Sequence, residues 1–317
     1  MKASSEYLRP VMAIPTSPAP PARSIRRRRA RDRVIESLLL AAGLVAVFTT
    51  LAIVWILVAE ALPFFDHVSL VDFLTDTMWT PLFAEPRYGI LPLVAGTLVT
   101  TLVALALAIP AGTIIAIYLS EFASHRLREA IKPALEMLGA VPTVVYGYFA
   151  LVMVTPFLQR LIPGLPGFNM LSAGLVIGIM IVPYVASVSE DAMRAVPNYM
   201  REGSYAMGAT RLQTATRVVV PGALSGIAAA YILGISRAVG ETMVVAVAAG
   251  LQPNLTWNPT ESAATITAFI VQVSLGDLPH DSIGYQSIFA AGLVLLVITL
   301  AFNIAGFALT RRFREAY

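Results

Sequence analysis

Two charges interrupt an otherwise apolar run. They are Arg237 and Glu241, within Ile-Ser-Arg-Ala-Val-Gly-Glu-Thr-Met from Ile235 to Met243. An ionised side chain near the centre of a bilayer costs roughly 2.5–3.5 kcal/mol or more when it faces lipid, so each needs a partner or a polar path. Four residues apart on one helix, the two share a face and can pair. Arg ahead of Glu is the less favourable order for an exposed helix, so surface stabilisation is not the motive. Three roles stay open: an ion pair that orients helix packing, a lining group of a polar pathway, and a gate whose pairing switches between states. In a pathway, a guanidinium fork replaces the hydration that phosphate or a similar oxyanion loses, and Glu241 keeps Arg237 from trapping it. Ser236 and Thr242 add donors, while Gly234 and Gly240 let backbones approach. Counted from Gly222, Arg237 lies 15 residues along, about 22 Å of helix, which places it in the outer half of the bilayer.

Other chemistries find no residues. There is no cysteine, which excludes disulfides, iron–sulfur clusters and thiolate zinc sites. The only lysines, Lys2 and Lys132, follow no glycine-rich loop, so a phosphate-cradling P-loop is absent and the chain does not hydrolyse ATP itself. His67, His125 and His280 stand far apart and without paired-ligand spacing. No metal, no cofactor and no enzymatic activity are expected.

The elements that must position Arg237 and Glu241 follow from composition. Of 317 residues, 57% are apolar and 13% charged, against roughly 45–50% and 25% in a soluble domain. A soluble globule, a disordered chain and a coiled coil are excluded. About 20 apolar residues cross the hydrocarbon core. Runs of that kind are Leu38–Leu62, Leu93–Leu119, Leu138–Leu158, Leu171–Ser189, a fifth from near Gly222 to about Leu251, and a sixth within Ser282–Thr310. Ser262–Gly276 is too short to span and suits a buried or re-entrant segment. With six spans and both ends inside, 19 of the 22 basic residues fall on the cytoplasmic side, and a seventh span would violate that asymmetry. The prediction is an all-α, six-span membrane protein. Residues 1–33 form a disordered, basic cytoplasmic tail. Its block Arg26–Arg29 contacts anionic membrane lipid rather than nucleic acid. Trp79, Trp257 and Tyr285, in the outer loops, are expected as interfacial anchors.

One connection stands out, from Glu190 to Val220. Pro197 and Asn198 end one helix and offer a cap for a short second one. Gly208 ends that helix, and Thr210 with Gln213 forms a capping box for a third. Tyr205, Met207 and Leu212 are then available to a partner outside the bilayer.

Glu202-Gly203-Ser204, Gly208, Val218 and Val220-Pro221 match in spacing the EAA motif of ABC-importer permeases, with small or apolar substitutions. Ala140–Gly147, Ser189–Pro197 and Ile235–Met243 are similar to the PstC group of phosphate importers, and the likeness extends over about residues 30–315. The resemblance implies an ABC-importer permease fold over 34–317 with a cytoplasmic coupling helix. In that helix Glu202, Gly203, Ser204, Tyr205, Met207 and Gly208, with Pro221 beyond it, would dock an ATPase. It also implies the partners: a PstA-like second permease, PstB-like ATP-binding subunits and an external PstS-like phosphate-binding protein. The expected function is phosphate import across the cytoplasmic membrane. The alternatives are another oxyanion such as sulfate or molybdate, a secondary transporter, and a scaffold or sensor that does not transport.

Overall fold

The computed structural model describes residues 22–81, 83, 85–276, 278–279 and 281–312. Among them every regular element is a helix: α1 (Ala22–His67), α2 (Leu70–Thr75), α3 (Leu91–Ile117), α4 (His125–Gly139), α5 (Thr143–Phe149), α6 (Thr155–Leu161), α7 (Met170–Ala195), α8 (Asn198–Ala206), α9 (Arg211–Thr214), α10 (Val220–Gly222), α11 (Leu224–Val239), α12 (Met243–Ala248), α13 (Ile266–Ser274) and α14 (Ile283–Arg312). One-turn π segments extend α3 to Phe122 and join α5 to α6 and α9 to α10. Five stretches are long and apolar enough to cross a membrane, and the bent pair Arg211–Gly222 and Leu224–Val239, at 73°, makes six. The expected tail, residues 1–33, lies outside the described residues as far as residue 21; Ala22 already begins α1.

The part of α1 up to Trp55 is a unit of its own. Leu38, Leu39, Val45, Phe48 and Trp55 are all exposed, as suits a helix facing acyl chains. From Ile56 onward the chain folds around α3 and α7. Small residues let these two helices approach closely. A Cβ on Gly174 would lie 2.7 Å from that of Val103, one on Gly178 2.8 Å from the Ala104 carbonyl, and one on Gly112 2.7 Å from Val185. Lipid supplies no hydrophobic drive between helices, so such dispersion contact is what holds them. Thr113 Oγ1 meets Tyr231 OH at 2.7 Å and ties α3 to α11.

The expected fifth span is corrected. Gly240, Glu241 and Thr242 interrupt it, so α11 stops at Val239, and it reaches the length of a span only together with Arg211–Gly222 across the bend at Ala223. α12 and α13 are six and nine residues long; at 1.5 Å per residue neither crosses the core. α13 lies within Ser262–Gly276 and buries Ile266, Thr267, Ala268, Phe269 and Val273, which fits the buried alternative expected there. This short piece leans on α3: Ile266 N–H donates to Thr97 Oγ1 at 3.1 Å, and a Cβ on Gly96 would stand 2.3 Å from the Ala264 carbonyl oxygen. Its loop also covers the start of α7, where Asn169, Met170 and Leu171 donate to Ala248, Glu261 and Pro259 carbonyls.

Trp79 is a second correction. It is 1% exposed, not an interfacial anchor, because it stacks edge-on with Phe73, Tyr88 and Phe269 at centroid distances of 6.3, 6.1 and 4.9 Å. Tyr285 is also partly buried, against Phe289, whereas Trp257 is exposed. Gly96→Ala is expected to lower the thermal unfolding midpoint of the purified protein. Gly43→Ala, where a Cβ meets nothing within 4 Å, is expected to leave it unchanged or raise it.

Candidate functional site

The charges of the 235–243 segment do not pair with each other. Gly240 ends α11 one residue after Val239, so Arg237 sits in the last turn of one helix and Glu241 just before the next. No ion pair joins them among the described residues, and the expected shared helix face is lost at the break. Each charge instead occupies a helix end suited to its sign, a cation at a C-terminus and an anion at an N-terminus. Glu241 is 8% exposed, and its Oε1 accepts from Val244 N–H at 3.3 Å, capping α12. Its own carbonyl accepts from Thr267 Oγ1 at 2.7 Å, which fastens the break to α13. Thr242 Oγ1 donates back to the Gly240 carbonyl, and Ser236 Oγ meets Asn303 Oδ1 of α14 at 3.4 Å.

Arg237 takes a different partner. Its guanidinium carbon lies 4.3 Å from the ring centroid of Tyr184, a cation–π contact. Its Nε is buried without a hydrogen bond. Tyr184 stands 14 residues after Met170 and 11 before Ala195 on α7, so this head group lies near the middle of that helix. Tyr184 OH donates to the Gly139 carbonyl at 3.1 Å and Tyr146 OH to Leu138 at 2.7 Å, so both tyrosines satisfy the carbonyls that end α4.

The second set of expected residues lies at the other end of α7. α8 begins at Asn198 behind Pro197, and Pro197 rather than Asn198 is the capping position. Gly208 has φ +82°, the left-handed conformation that stops α8. Thr210 and Gln213 form the expected capping box. One face of α8 holds the bundle. Arg201 Nη2 donates to Glu121 Oε1 at 2.9 Å and to the Met193 carbonyl at 2.8 Å, and Nη1 donates to the Val196 carbonyl at 2.6 Å. The Arg201 and Glu121 side chains are 14% and 5% exposed. Ser204, one turn on, meets Thr214 Oγ1 at 2.9 Å. The other face is open: Glu202, Gly203, Tyr205 and Met207 are exposed, Met207 at 89%, and so is Pro221 at the start of α10. A Cβ on Gly203 would meet nothing within 4 Å.

Sequence reasoning missed the residues that hold this end together. Glu190 is fully buried and accepts from Lys132 Nζ at 2.8 Å, and Lys132 also binds Asp191. Burial alone would lower the lysine's pKa, but its bonds to Asp191 and Glu190 outweigh that and raise it above the usual lysine value. α4 itself, with no buried residue, was passed over as a connection. Its amphipathic periodicity, and the four-residue spacing of Glu190 and Arg194, were the available signals.

The family described as binding-protein-dependent transport system inner membrane component matches residues 108–315. A probable ABC transporter permease protein, YqgH of Bacillus subtilis, is 34% identical over 282 residues, 88% of this chain and 91% of its own. The phosphate transport system permease protein PstC of Mesorhizobium japonicum is 34% identical over 263 residues, 76% of this chain and 78% of its own; that of Haemophilus influenzae is 34% identical over 252 residues, 72% and 77%. Among solved structures, a bacterial ABC transporter involved in the import of alginate superposes with TM-score 0.60 at 16% identity, covering 92% of this chain and all of that one. The inward-facing MetNI methionine ABC transporter gives 0.52 at 19% identity, covering 72% and 95%. These likenesses bear on the fold alone.

Arg201→Ala strands the buried Glu121 carboxylate and two carbonyls. Unfolding is expected to be easier by roughly 3–5 kcal/mol, read as a lower unfolding midpoint. Arg201→Met with Glu121→Leu is expected to recover the part due to the carboxylate, with the Met193 and Val196 carbonyls still unpaired.

Proposed function

The chain belongs to the family of binding-protein-dependent transport system inner membrane components and is a permease of an ABC importer. From that premise we propose that its cargo is inorganic phosphate, driven inward by ATP hydrolysed on separate subunits. The observation that carries the reading is Arg237, a mid-bundle guanidinium with no carboxylate against it among the described residues and a buried, unspent Nε. A cation left this way in hydrocarbon is costly, and a passing oxyanion is the partner its planar fork fits best. Relatives named for phosphate transport, at 34% identity over about three quarters of the chain, support the same cargo.

In this reading the break at residues 240–242 is the centre of the path. Broken helices place backbone dipoles and polar side chains where a substrate sheds water. Arg237 holds the anion with Ser236 and Thr242 nearby, and Glu241, by capping α12, fixes the geometry of the gate. The open face of α8, with Glu202, Gly203, Tyr205 and Met207, docks a PstB-like ATPase, bounded by Ser204, Gly208 and Pro221. Gly203 leaves room for a partner side chain. Arg201 welds α8 to α7 and to the end of α3, so docking and path move as one body. A PstA-like subunit completes the path, and a PstS-like protein delivers phosphate from outside. Both chain ends are cytoplasmic by the distribution of basic residues, and 34–317 is the permease domain.

ATP-dependent uptake of labelled phosphate into proteoliposomes containing the complete complex tests the cargo. Phosphate is expected to accumulate, unlabelled phosphate to compete, and sulfate and molybdate to compete weakly. Arg237→Gln is expected to lower uptake roughly 10- to 100-fold, the equivalent of a charge-assisted hydrogen bond, with ATPase subunits still bound. Normal uptake by Arg237→Gln, or equal competition by sulfate, would overturn the reading. Met207→Asp is expected to lose ATPase co-purification with an unchanged unfolding midpoint.

A further inference from the structure

A cavity of about 420 Å³ opens beside α8, on the side away from Arg237, lined among others by Glu121, His125, Arg128, Arg194, Asn198 and Arg201. Two helices begin at its wall. α4 starts at His125, with Ser124 capping it, and α8 starts at Asn198 behind Pro197, which supplies no side-chain cap. The first turn of a helix holds N–H groups without intrahelical partners, and phosphate-type groups bind there.

Three guanidiniums stand around these termini, and they are not equally engaged. Arg201 spends its donors on Glu121 and on the carbonyls that end α7. Arg128 and Arg194 each approach Glu190 Oε1 only to 3.7 Å, and that oxygen accepts no hydrogen bond. Glu190 takes its one close bond from Lys132 through the other oxygen. Neither guanidinium makes a hydrogen bond among the described residues, although both line the cavity. His125 at the mouth is held by Glu129 at 3.2 Å. With Lys132 and Asp191 behind the wall, four permanent cations face Glu121, Glu190 and Asp191. Two guanidiniums that are ion-paired to Glu190 but free of hydrogen bonds among the described residues, and an uncapped helix start, therefore line one cavity. The chemistry they complete is that of a tetrahedral oxyanion, which accepts from several planar donors at once.

We propose that this cavity binds a phosphate-type oxyanion, either inorganic phosphate or the phosphodiester of an anionic lipid headgroup, between Arg128, Arg194 and the N-terminus of α8. The site is separate from the transport path, because Arg194 lies ten residues beyond Tyr184 on α7, about 15 Å. A bound anion bridges α4 and α8 and braces α8 against the bundle. That consequence for transport rests on the proposed function; occupancy of the cavity does not.

Hydrogen exchange of the Asn198 and Tyr199 amides in the complete complex reads occupancy directly. In detergent free of anionic lipid, added inorganic phosphate is expected to slow their exchange in the unaltered chain and equally in Arg237→Gln. Arg128→Gln with Arg194→Gln is expected to raise the half-saturating phosphate concentration at least tenfold, about 1.4 kcal/mol. Lys132 continues to compensate Glu190 in that variant. If the double variant does not assemble, Arg128→Lys with Arg194→Lys keeps the charge and removes the forks, and is expected to shift the midpoint in the same direction. Nanodiscs distinguish the sources. Protection by phosphatidylglycerol without added phosphate identifies a lipid headgroup, and protection in phosphatidylcholine only on adding phosphate identifies the free anion. Absence of protection by both probes, or a midpoint unmoved in whichever variant assembles, overturns the proposal.

Discussion

Ending a helix inside a bilayer strands backbone donors and acceptors that hydrocarbon cannot satisfy. This chain ends helices repeatedly within its apolar bundle, and several of its buried polar side chains are spent on the result. Glu241 caps α12, Thr267 takes the carbonyl of Glu241, and Thr97 receives the amide that begins α13. Tyr146 and Tyr184 close the end of α4, and Arg201 closes the end of α7. Arg237, within the apolar run, is not consumed in this way. Its contact with the Tyr184 ring leaves its buried Nε without a hydrogen bond, which is why function is assigned to it rather than to its neighbours.

The same constraint ties the two ends of the mechanism together. α7 carries Tyr184 against Arg237 at its middle and offers Met193 and Val196 carbonyls to Arg201 at its end. α3 is pressed onto α7 through Gly174, Gly178 and Gly112, and its π extension supplies Glu121 to the same arginine. A displacement of α8 is therefore delivered to two tightly packed helices and not to a flexible loop. Packed interfaces of this kind shift between discrete arrangements and do not deform smoothly, which suits a motion between outward and inward states.

Much of this was legible in the sequence because charge is so scarce. Five of the spans, the short Ser262–Gly276 segment and the Thr210–Gln213 box follow from runs, lengths and caps that act locally. What was not legible depended on partners far away in the chain. Arg237 and Glu241 have the spacing of an ion pair, and only the break after Val239 separates them; Gly240 hinted at it without requiring it. Trp79 sits in a loop by sequence, yet Phe269, 190 residues on, completes its core. Arg201 and Glu121 are 80 residues apart, and neither carries a local sign that it seeks the other.

The central claim is that α8 and the α3–α7 pair move as one body. The chain has no cysteine, so two can be introduced for spin labels, at Tyr199 on α8 and Ile114 on α3, both exposed. Pulsed electron–electron resonance on the complete complex, with and without ATP, then reads their separation. One narrow distance that is unchanged by nucleotide, and that broadens in Arg201→Ala, is the expected result. A distance in the unaltered chain that changes by several ångströms on adding ATP would contradict the account.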